Sequence, residues 1–171
     1  MKKLIIAALA IAAATTMYAQ GTISMASKNA LTYTDKACAV LGVDSGTKVG
    51  SEITGTLYYE GNVVASQAFN GVNAKTGAPT GKMAGAVITS DIVPAGTAVS
   101  FTLHAQDATG LYQGDSAPFT YNTGNPAGTP PTTPDAKLDY ADFQVDYVPE
   151  PTTIALGILG LSSLLVFRRR D

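Results

Sequence analysis

The feature that most constrains the fold is the alternation of apolar and polar residues in short runs. In residues 99–106 every second residue is apolar, and the intervening residues are Ser, Thr, His and Gln. Residues 142–147 repeat the pattern, with Phe143, Val145 and Tyr147 as the apolar members. Side chains of a β-strand point alternately to its two faces, so each run predicts a strand with one face in a core and one face in water.

Further short runs, rich in β-branched residues and bounded by Gly, Asn, Asp or Pro, extend this pattern over the middle of the chain. The predicted strands are residues 21–26, 30–34, 37–43, 53–59, 63–69, 83–89, 98–106, 116–121 and 138–147. Glu60-Gly61-Asn62 is a hairpin signal between two of them. No sustained helical periodicity appears here. The sequence therefore predicts an all-β domain over residues 20–147, an antiparallel β-sandwich of about eight short strands, with a closed barrel as the alternative.

Residues 122–135 form the one low-complexity stretch, with four prolines among glycines and threonines. This composition predicts an extended, solvated loop. Because the strand-like residues 138–147 follow it, we expect a loop inside the domain and not a linker leading out of it.

The N-terminal segment has the order of a secretory signal peptide. Lys2 and Lys3 precede eleven apolar residues, 4–14, and a more polar stretch then ends at Ala19. As a helix, the apolar run would span only about 16 Å, short of a bilayer core of about 30 Å. We therefore expect residues 1–19 to be a signal helix for the Sec export machinery, cleaved between Ala19 and Gln20.

The C-terminal segment, residues 148–171, has three parts in a fixed order. The tripeptide Pro149, Glu150 and Pro151 predicts an extended, hydrogen-bond-poor stretch that a protease can read. A hydrophobic helix that enters the membrane is predicted next, with the apolar residues Ile154, Leu156, Ile158, Leu159, Leu161, Leu164, Leu165, Val166 and Phe167. The basic cluster Arg168, Arg169 and Arg170 would remain cytoplasmic by the positive-inside rule.

This tail resembles the PEP-CTERM sorting domain of Gram-negative bacteria in all three parts, over residues 148–171. The resemblance implies recognition by an exosortase, a membrane-embedded cysteine protease, and processing near Pro149–Pro151. It also implies transient anchoring in the cytoplasmic membrane, followed by release to the cell surface or an exopolysaccharide matrix. A plain C-terminal membrane anchor is the alternative.

The charge of the central region restricts its partners. Residues 20–148 contain six lysines, eleven aspartates and glutamates, and no arginine, which gives a net charge of −5. Nucleic-acid binding draws on clustered Lys and Arg to displace phosphate counterions, so this balance argues against it.

The residues that could support catalysis or metal binding are few. His104 is the only histidine and Cys38 the only cysteine, so a zinc site lacks ligands and an intramolecular disulfide is excluded. His104 falls on the polar face of its strand, near Asp107 in sequence, and is expected to be exposed and structurally neutral. Cys38 is expected to be a small apolar residue packed in a strand. No enzyme and no cofactor are predicted.

Carboxylate pairs and tyrosines give two weaker hypotheses. Asp142 and Asp146 lie on one face of a predicted strand, roughly 13 Å apart in an extended chain, which is wide for a glycosidase pair. They are expected to be solvated surface charges. Residues 107–110 and 114–116 offer oxygen ligands for calcium, but turns of this kind usually exist for backbone reasons, and no metal site is predicted. The tyrosines Tyr58, Tyr59, Tyr112, Tyr121, Tyr140 and Tyr147 could stack on sugars, although half-buried strand positions are expected for most of them.

Together these features predict an exported surface or extracellular-matrix protein with a structural or adhesive role. The alternative is a carbohydrate-binding module, with an extracellular polysaccharide as an additional partner.

Overall fold

The computed structural model describes residues 20–149. The predicted signal helix, the sorting residues from Glu150 onward, the hydrophobic helix and the basic cluster lie outside the described residues. Within residues 20–149 no helix has the length and apolar character needed to span a bilayer.

The described region is all-β with one short helix. Its strands are β1 (Gln20–Ala26), β2 (Thr32–Tyr33), β3 (Ile53–Tyr59), β4 (Asn62–Ala68), β5 (Ala84–Pro94), β6 (Ala98–Asp107), β7 (Tyr112–Asp115), β8 (Phe119–Asn122) and β9 (Gln144–Tyr147). The helix α1 (Asp35–Leu41) lies between β2 and β3.

The strands form two sheets. One pairs β1 with β5, and the other has the order β2-β9-β7-β6-β3-β4, with β8 paired to the first part of β6. Every pair is antiparallel except β2 with β9, which are parallel. Because β2 and β9 come from opposite ends of the domain, this pairing joins its N-terminal and C-terminal thirds.

The alternation predicted for residues 99–106 is confirmed in β6. Its apolar residues Val99, Phe101, Leu103 and Ala105 are buried. They belong to one hydrophobic cluster that also holds residues of both sheets, including Ile23 of β1 and Leu57 of β3. Burying each leucine- or phenylalanine-sized side chain contributes about 1.5–3 kcal/mol.

The predicted hairpin is confirmed at Glu60 and Gly61. Tyr59 of β3 pairs with Asn62 of β4, so the turn has two central residues. Both have positive φ, 49° at Glu60 and 79° at Gly61. A type I′ turn requires this conformation, and its twist matches that of the two strands.

The strand predicted at residues 37–43 is wrong, because most of this segment forms helix α1. The hydroxyl of Thr34 accepts a hydrogen bond from the backbone N–H of Ala37 at 3.2 Å, and Gly42 ends the helix at a φ of 70°. Thr at the N-cap and Gly just past the end are common helix boundaries. Seven residues are too few for the periodicity to show.

Thr34 also connects α1 to β9. Its hydroxyl donates to Asp146 Oδ1 at 2.8 Å, and its backbone N–H donates to the carbonyl oxygen of Val145. The bond from Thr34 is the main cause that lowers the pKa of Asp146. This bond therefore stabilises the fold while Asp146 is ionised and is lost as the pH falls through that lowered pKa.

Replacing Thr34 with alanine is expected to lower the free energy of unfolding by about 1–2 kcal/mol, because the helix loses its cap. Urea denaturation measures this change. Thr34→Ser keeps the hydroxyl and serves as the control, with an expected loss below about 0.5 kcal/mol. Equal destabilisation by both substitutions would show that the hydroxyl is not responsible.

Other strand boundaries differ from the predictions. The strands predicted at residues 30–34 and 138–147 are shorter, since only β2 and β9 form strands there, although Leu138 makes an isolated bridge with Ser27 and both Leu138 and Tyr140 are buried. The short strand β7 was not predicted, and β5 continues to Pro94.

The loop predicted at residues 122–135 lies inside the domain, as expected, but it is not wholly solvated. Thr123 and Gly124 are buried. The N–H of Thr22 in β1 donates to the carbonyl oxygen of Gly124, and the N–H of Leu138 donates to that of Ala26. The connection between β8 and β9 therefore covers the edge of β1 that β5 leaves free.

Candidate functional site

A groove with a volume of about 750 Å³ opens beside the segment that leads into β2. Three lysines line it, Lys28, Lys48 and Lys82. They are half of the six lysines in residues 20–148, a region with a net charge of −5. The groove thus concentrates positive charge on an acidic domain.

Backbone hydrogen bonds on both sides of Leu31 bring these lysines together. The N–H of Leu31 donates to the carbonyl oxygen of Gly81 at 2.7 Å, and its carbonyl oxygen accepts from Val49 at 3.1 Å. Lys82 follows Gly81 and Lys48 precedes Val49, so each lysine is fixed next to the same short segment.

Gly81 is required for this close approach. Its φ is 69°, a conformation that L side chains rarely adopt. A Cβ at this position would overlap the carbonyl oxygen of Leu31 and lie 3.0 Å from its nitrogen. Only glycine therefore allows the backbone before Lys82 to lie against Leu31.

The parallel pairing of β2 with β9 supplies the opposite side of the groove. Thr32 pairs with Gln144, and the Gln144 amide donates to the Thr32 hydroxyl at 3.3 Å. This register places Asp142 and Phe143 on the groove. Phe143 is half-buried, and its ring centroid lies 5.4 Å from that of Tyr140 in an edge-to-face arrangement.

The charges of the groove are only partly compensated. Lys28 forms an ion pair with Asp139 at 2.5 Å. Among the described residues, no carboxylate oxygen lies within 4 Å of the amino groups of Lys48 or Lys82. These two lysines outnumber the one remaining carboxylate of the groove, Asp142, so its net charge is positive.

His104 lies in a second, smaller depression of about 430 Å³, beside Tyr58 and Thr102. Its side chain is only 21% exposed, so the expected exposure is wrong. Its Nδ1 lies 2.7 Å from Asp115 Oδ1 and its Nε2 lies 3.1 Å from Gln106 Oε1. Each ring nitrogen thus faces a side-chain oxygen of a neighbouring residue, and neither is presented to a hydroxyl as a nucleophile–base pair requires.

The residue near His104 in sequence, Asp107, is used elsewhere. Burial raises the pKa of Asp107, but hydrogen bonds from the Thr109 hydroxyl and the Tyr112 N–H outweigh burial and lower it overall. The Tyr112 bond is 3.1 Å long. The Asp107 carboxylate therefore stabilises the turn between β6 and β7. This role in the backbone conformation accounts for an acidic residue at the position.

Ser116, in the other candidate calcium loop, is also used internally. Its hydroxyl accepts from the N–H of Leu103 at 2.9 Å, and the residue is buried. Within residues 20–149 no group of three or more His, Cys, Asp or Glu side chains is placed to hold a metal ion.

The carboxylates Asp142 and Asp146 do not share a strand face. Asp142 is exposed, as expected, but precedes β9. The Asp146 side chain is 44% exposed, in line with the predicted solvated charge, but it also bonds to Thr34 and lies 3.7 Å from the Lys36 amino group.

The tyrosines do not form a continuous exposed platform. Tyr121 and Tyr140 are each 1% exposed and cannot stack on a ligand. Tyr58, Tyr59, Tyr112 and Tyr147 are half-buried, as expected for strand positions. Cys38 is buried, as predicted, but it lies in α1 and not in a strand.

Of the residues predicted for signal cleavage and for the sorting motif, Gln20 and Pro149 fall within the described region. Gln20 is the first residue of β1, and Pro149 follows β9 by two residues. Ala19 and residues 150–171 lie outside it. Sequence reasoning missed the groove, because Lys28, Lys48 and Lys82 are far apart in the chain and only the pairing around Leu31 unites them.

Comparison of the chain with models of protein families, with curated proteins and with solved structures finds no significant match.

Proposed function

We propose that this protein is exported, held transiently in the cytoplasmic membrane, processed by an exosortase and released to the cell surface or extracellular matrix. The proposal is supported by the position of the strands relative to the two predicted cleavage sites. Pairing begins at Gln20 and ends at Tyr147, so cleavage after Ala19 and near Glu150 would leave every described strand intact. The charge at both ends supports the same orientation, with Lys2–Lys3 and Arg168–Arg170 on the cytoplasmic side.

The fold that we propose for the released domain is a β-sandwich. The hydrophobic cluster supports this, since it contains Ile23 and Met25 from the two-stranded sheet together with Leu57 and Leu103 from the larger sheet. The larger sheet has β2 and β4 at its ends, an open order that favours a sandwich over a closed barrel.

Within the matrix we propose a structural or adhesive role and not a catalytic one. The contacts of His104 with Asp115 and Gln106 favour this reading, because they place side chains other than a hydroxyl against both nitrogens of the only imidazole in the chain. Carbohydrate binding is the second candidate. The groove that combines lysines, amide side chains and Phe143 favours it, because polar groups beside an aromatic ring are suited to sugars.

Changing Pro149-Glu150-Pro151 to three alanines is expected to abolish C-terminal processing. In a host that carries an exosortase, mass spectrometry should find a new C-terminus near Glu150 on the parent protein. The variant should keep the Arg168–Arg170 peptide and remain in the membrane fraction. Asp44→Ala removes one exposed negative charge elsewhere and should be processed like the parent. An intact tail on most copies of the parent would instead indicate a simple membrane anchor.

A further inference from the structure

We propose that the groove between Lys28, Lys48, Lys82 and Phe143 binds an anionic polysaccharide, with carboxylate-bearing sugar units as its ligands. This inference rests on the proposed association with an extracellular matrix and specifies what the domain binds there. It gives the chemical class of the carbohydrate in the second candidate function. The overall acidity of the domain would by itself disfavour an anionic ligand of this class.

The charge distribution of the domain is the first support for an anionic ligand. A domain with a net charge of −5 repels polyanions at long range, so binding requires a local site where the sign is reversed. Lys48 and Lys82 create such a site, since among the described residues neither amino group is neutralised by a carboxylate within 4 Å. Lys28 is paired with Asp139, so it lines the groove but adds less to its net positive charge.

The uncharged groups of the groove are the second step. The amide nitrogens of Asn29 and Gln144 are engaged by the Tyr140 carbonyl and the Thr32 hydroxyl. No hydrogen bond within residues 20–149 uses their side-chain oxygens, which can therefore accept bonds from sugar hydroxyls. Phe143 adds an apolar surface for the C–H face of a sugar ring.

Size and openness separate a polysaccharide from a smaller ligand or a duplex. A volume of about 750 Å³ accommodates a few sugar units, and the shallow groove does not enclose its occupant. Two uncompensated lysines suit carboxylates spaced along a polyuronate chain. Double-stranded DNA, with one charge per about 1.7 Å of axis, requires a denser array of cations.

The test is binding of the full-length chain, purified in detergent, to polygalacturonate at an ionic strength of about 0.1 M, measured by isothermal titration calorimetry. Dextran serves as the neutral polysaccharide and a DNA duplex as the phosphate polyanion. The double substitution Lys48→Gln with Lys82→Gln is expected to weaken polygalacturonate binding at least tenfold. Asp142→Asn should strengthen it about two- to threefold, because it removes the opposing charge.

The matched control is Lys75→Gln with Lys137→Gln, which makes the same change in net charge at two exposed lysines outside the groove. It should leave the affinity within about twofold, since neither lysine lines the groove and charges outside it are partly screened at an ionic strength of about 0.1 M. Equal losses in both double variants, equal binding of dextran, or tighter binding of DNA would each overturn the proposal.

Failure to bind polygalacturonate would also overturn it. That result leaves the matrix proposal to be decided separately by the processing experiment, because cleavage near Glu150 does not depend on the groove.

Discussion

Replacing Gly81 with alanine is expected to lower the free energy of unfolding by more than about 3 kcal/mol. Two costs combine. A non-glycine residue at a φ of 69° costs roughly 1–2 kcal/mol. The new Cβ also overlaps the Leu31 carbonyl oxygen, and this neighbour is backbone held by a hydrogen bond to Val49, so it cannot move away cheaply.

Gly77 provides a matched control for the Gly81 substitution. Its φ is 68°, almost identical, yet nothing lies within 4 Å of a Cβ built there. Gly77→Ala should therefore show only the conformational cost, about 1–2 kcal/mol in urea denaturation. The difference between the two variants measures the close approach at Leu31. Equal losses would contradict the close approach of Gly81 to the Leu31 carbonyl oxygen. Gly81→Ala should also weaken polygalacturonate binding, because it displaces Lys82.

Replacing Tyr121 with phenylalanine is expected to cost about 2–4 kcal/mol, although the substitution removes a single oxygen atom. The Tyr121 hydroxyl accepts from the N–H of Ser24 at 2.7 Å and donates to the carbonyl oxygen of Asp135 at 2.6 Å. It is 1% exposed, and a buried group left without a partner costs about 1–3 kcal/mol. Burial raises the pKa of Tyr121, so the neutral hydroxyl that donates to Asp135 persists to higher pH.

The phenylalanine ring retains the edge-to-face contact with Phe101, whose centroid is 6.0 Å away, so the variant isolates the hydroxyl. Tyr58→Phe is the control, because no hydrogen bond of the Tyr58 hydroxyl is found among the described residues and the side chain is half-buried. Its expected change is within about 0.5 kcal/mol. Amide exchange gives a second readout: the Ser24 N–H should lose protection in Tyr121→Phe alone. Unchanged protection of the Ser24 N–H would contradict its hydrogen bond to the Tyr121 hydroxyl.

The sequence predicts those parts of this fold in which local pattern and tertiary environment agree. β3 has the predicted bounds, and β6 differs from its prediction by one residue, because alternation there coincides with burial on one face. The turn at Glu60 and Gly61 follows from the conformation that two-residue hairpins require.

Elsewhere the local pattern is ambiguous or misleading. Residues 37–41 are apolar and fit either a strand or a helix, and the decision depends on a cap from Thr34 that also binds Asp146, more than a hundred residues away. β7, with the sequence Tyr-Gln-Gly-Asp, has no apolar alternation, and its pairing with β6 and β9 is what makes it a strand.

The lysine-lined groove also could not be predicted from local sequence pattern. Lys28, Lys48 and Lys82 have no common spacing, and isolated lysines on an acidic domain resemble ordinary surface residues. They converge because Leu31 bonds to Gly81 on one side and Val49 on the other. Positive φ at Gly81 has no signature in the sequence beyond the glycine itself.

The cover that residues 124–138 place over β1 has a consequence for the order of folding. The first strand to be synthesised needs Gly124, Ala136 and Leu138 for its outer edge, and β2 needs Gln144 and Val145. Pairing over such sequence separations is slow, since long loops must close first. The outer edge of β1 and the side of β2 that pairs with β9 thus stay unpaired until almost all of the domain has been synthesised.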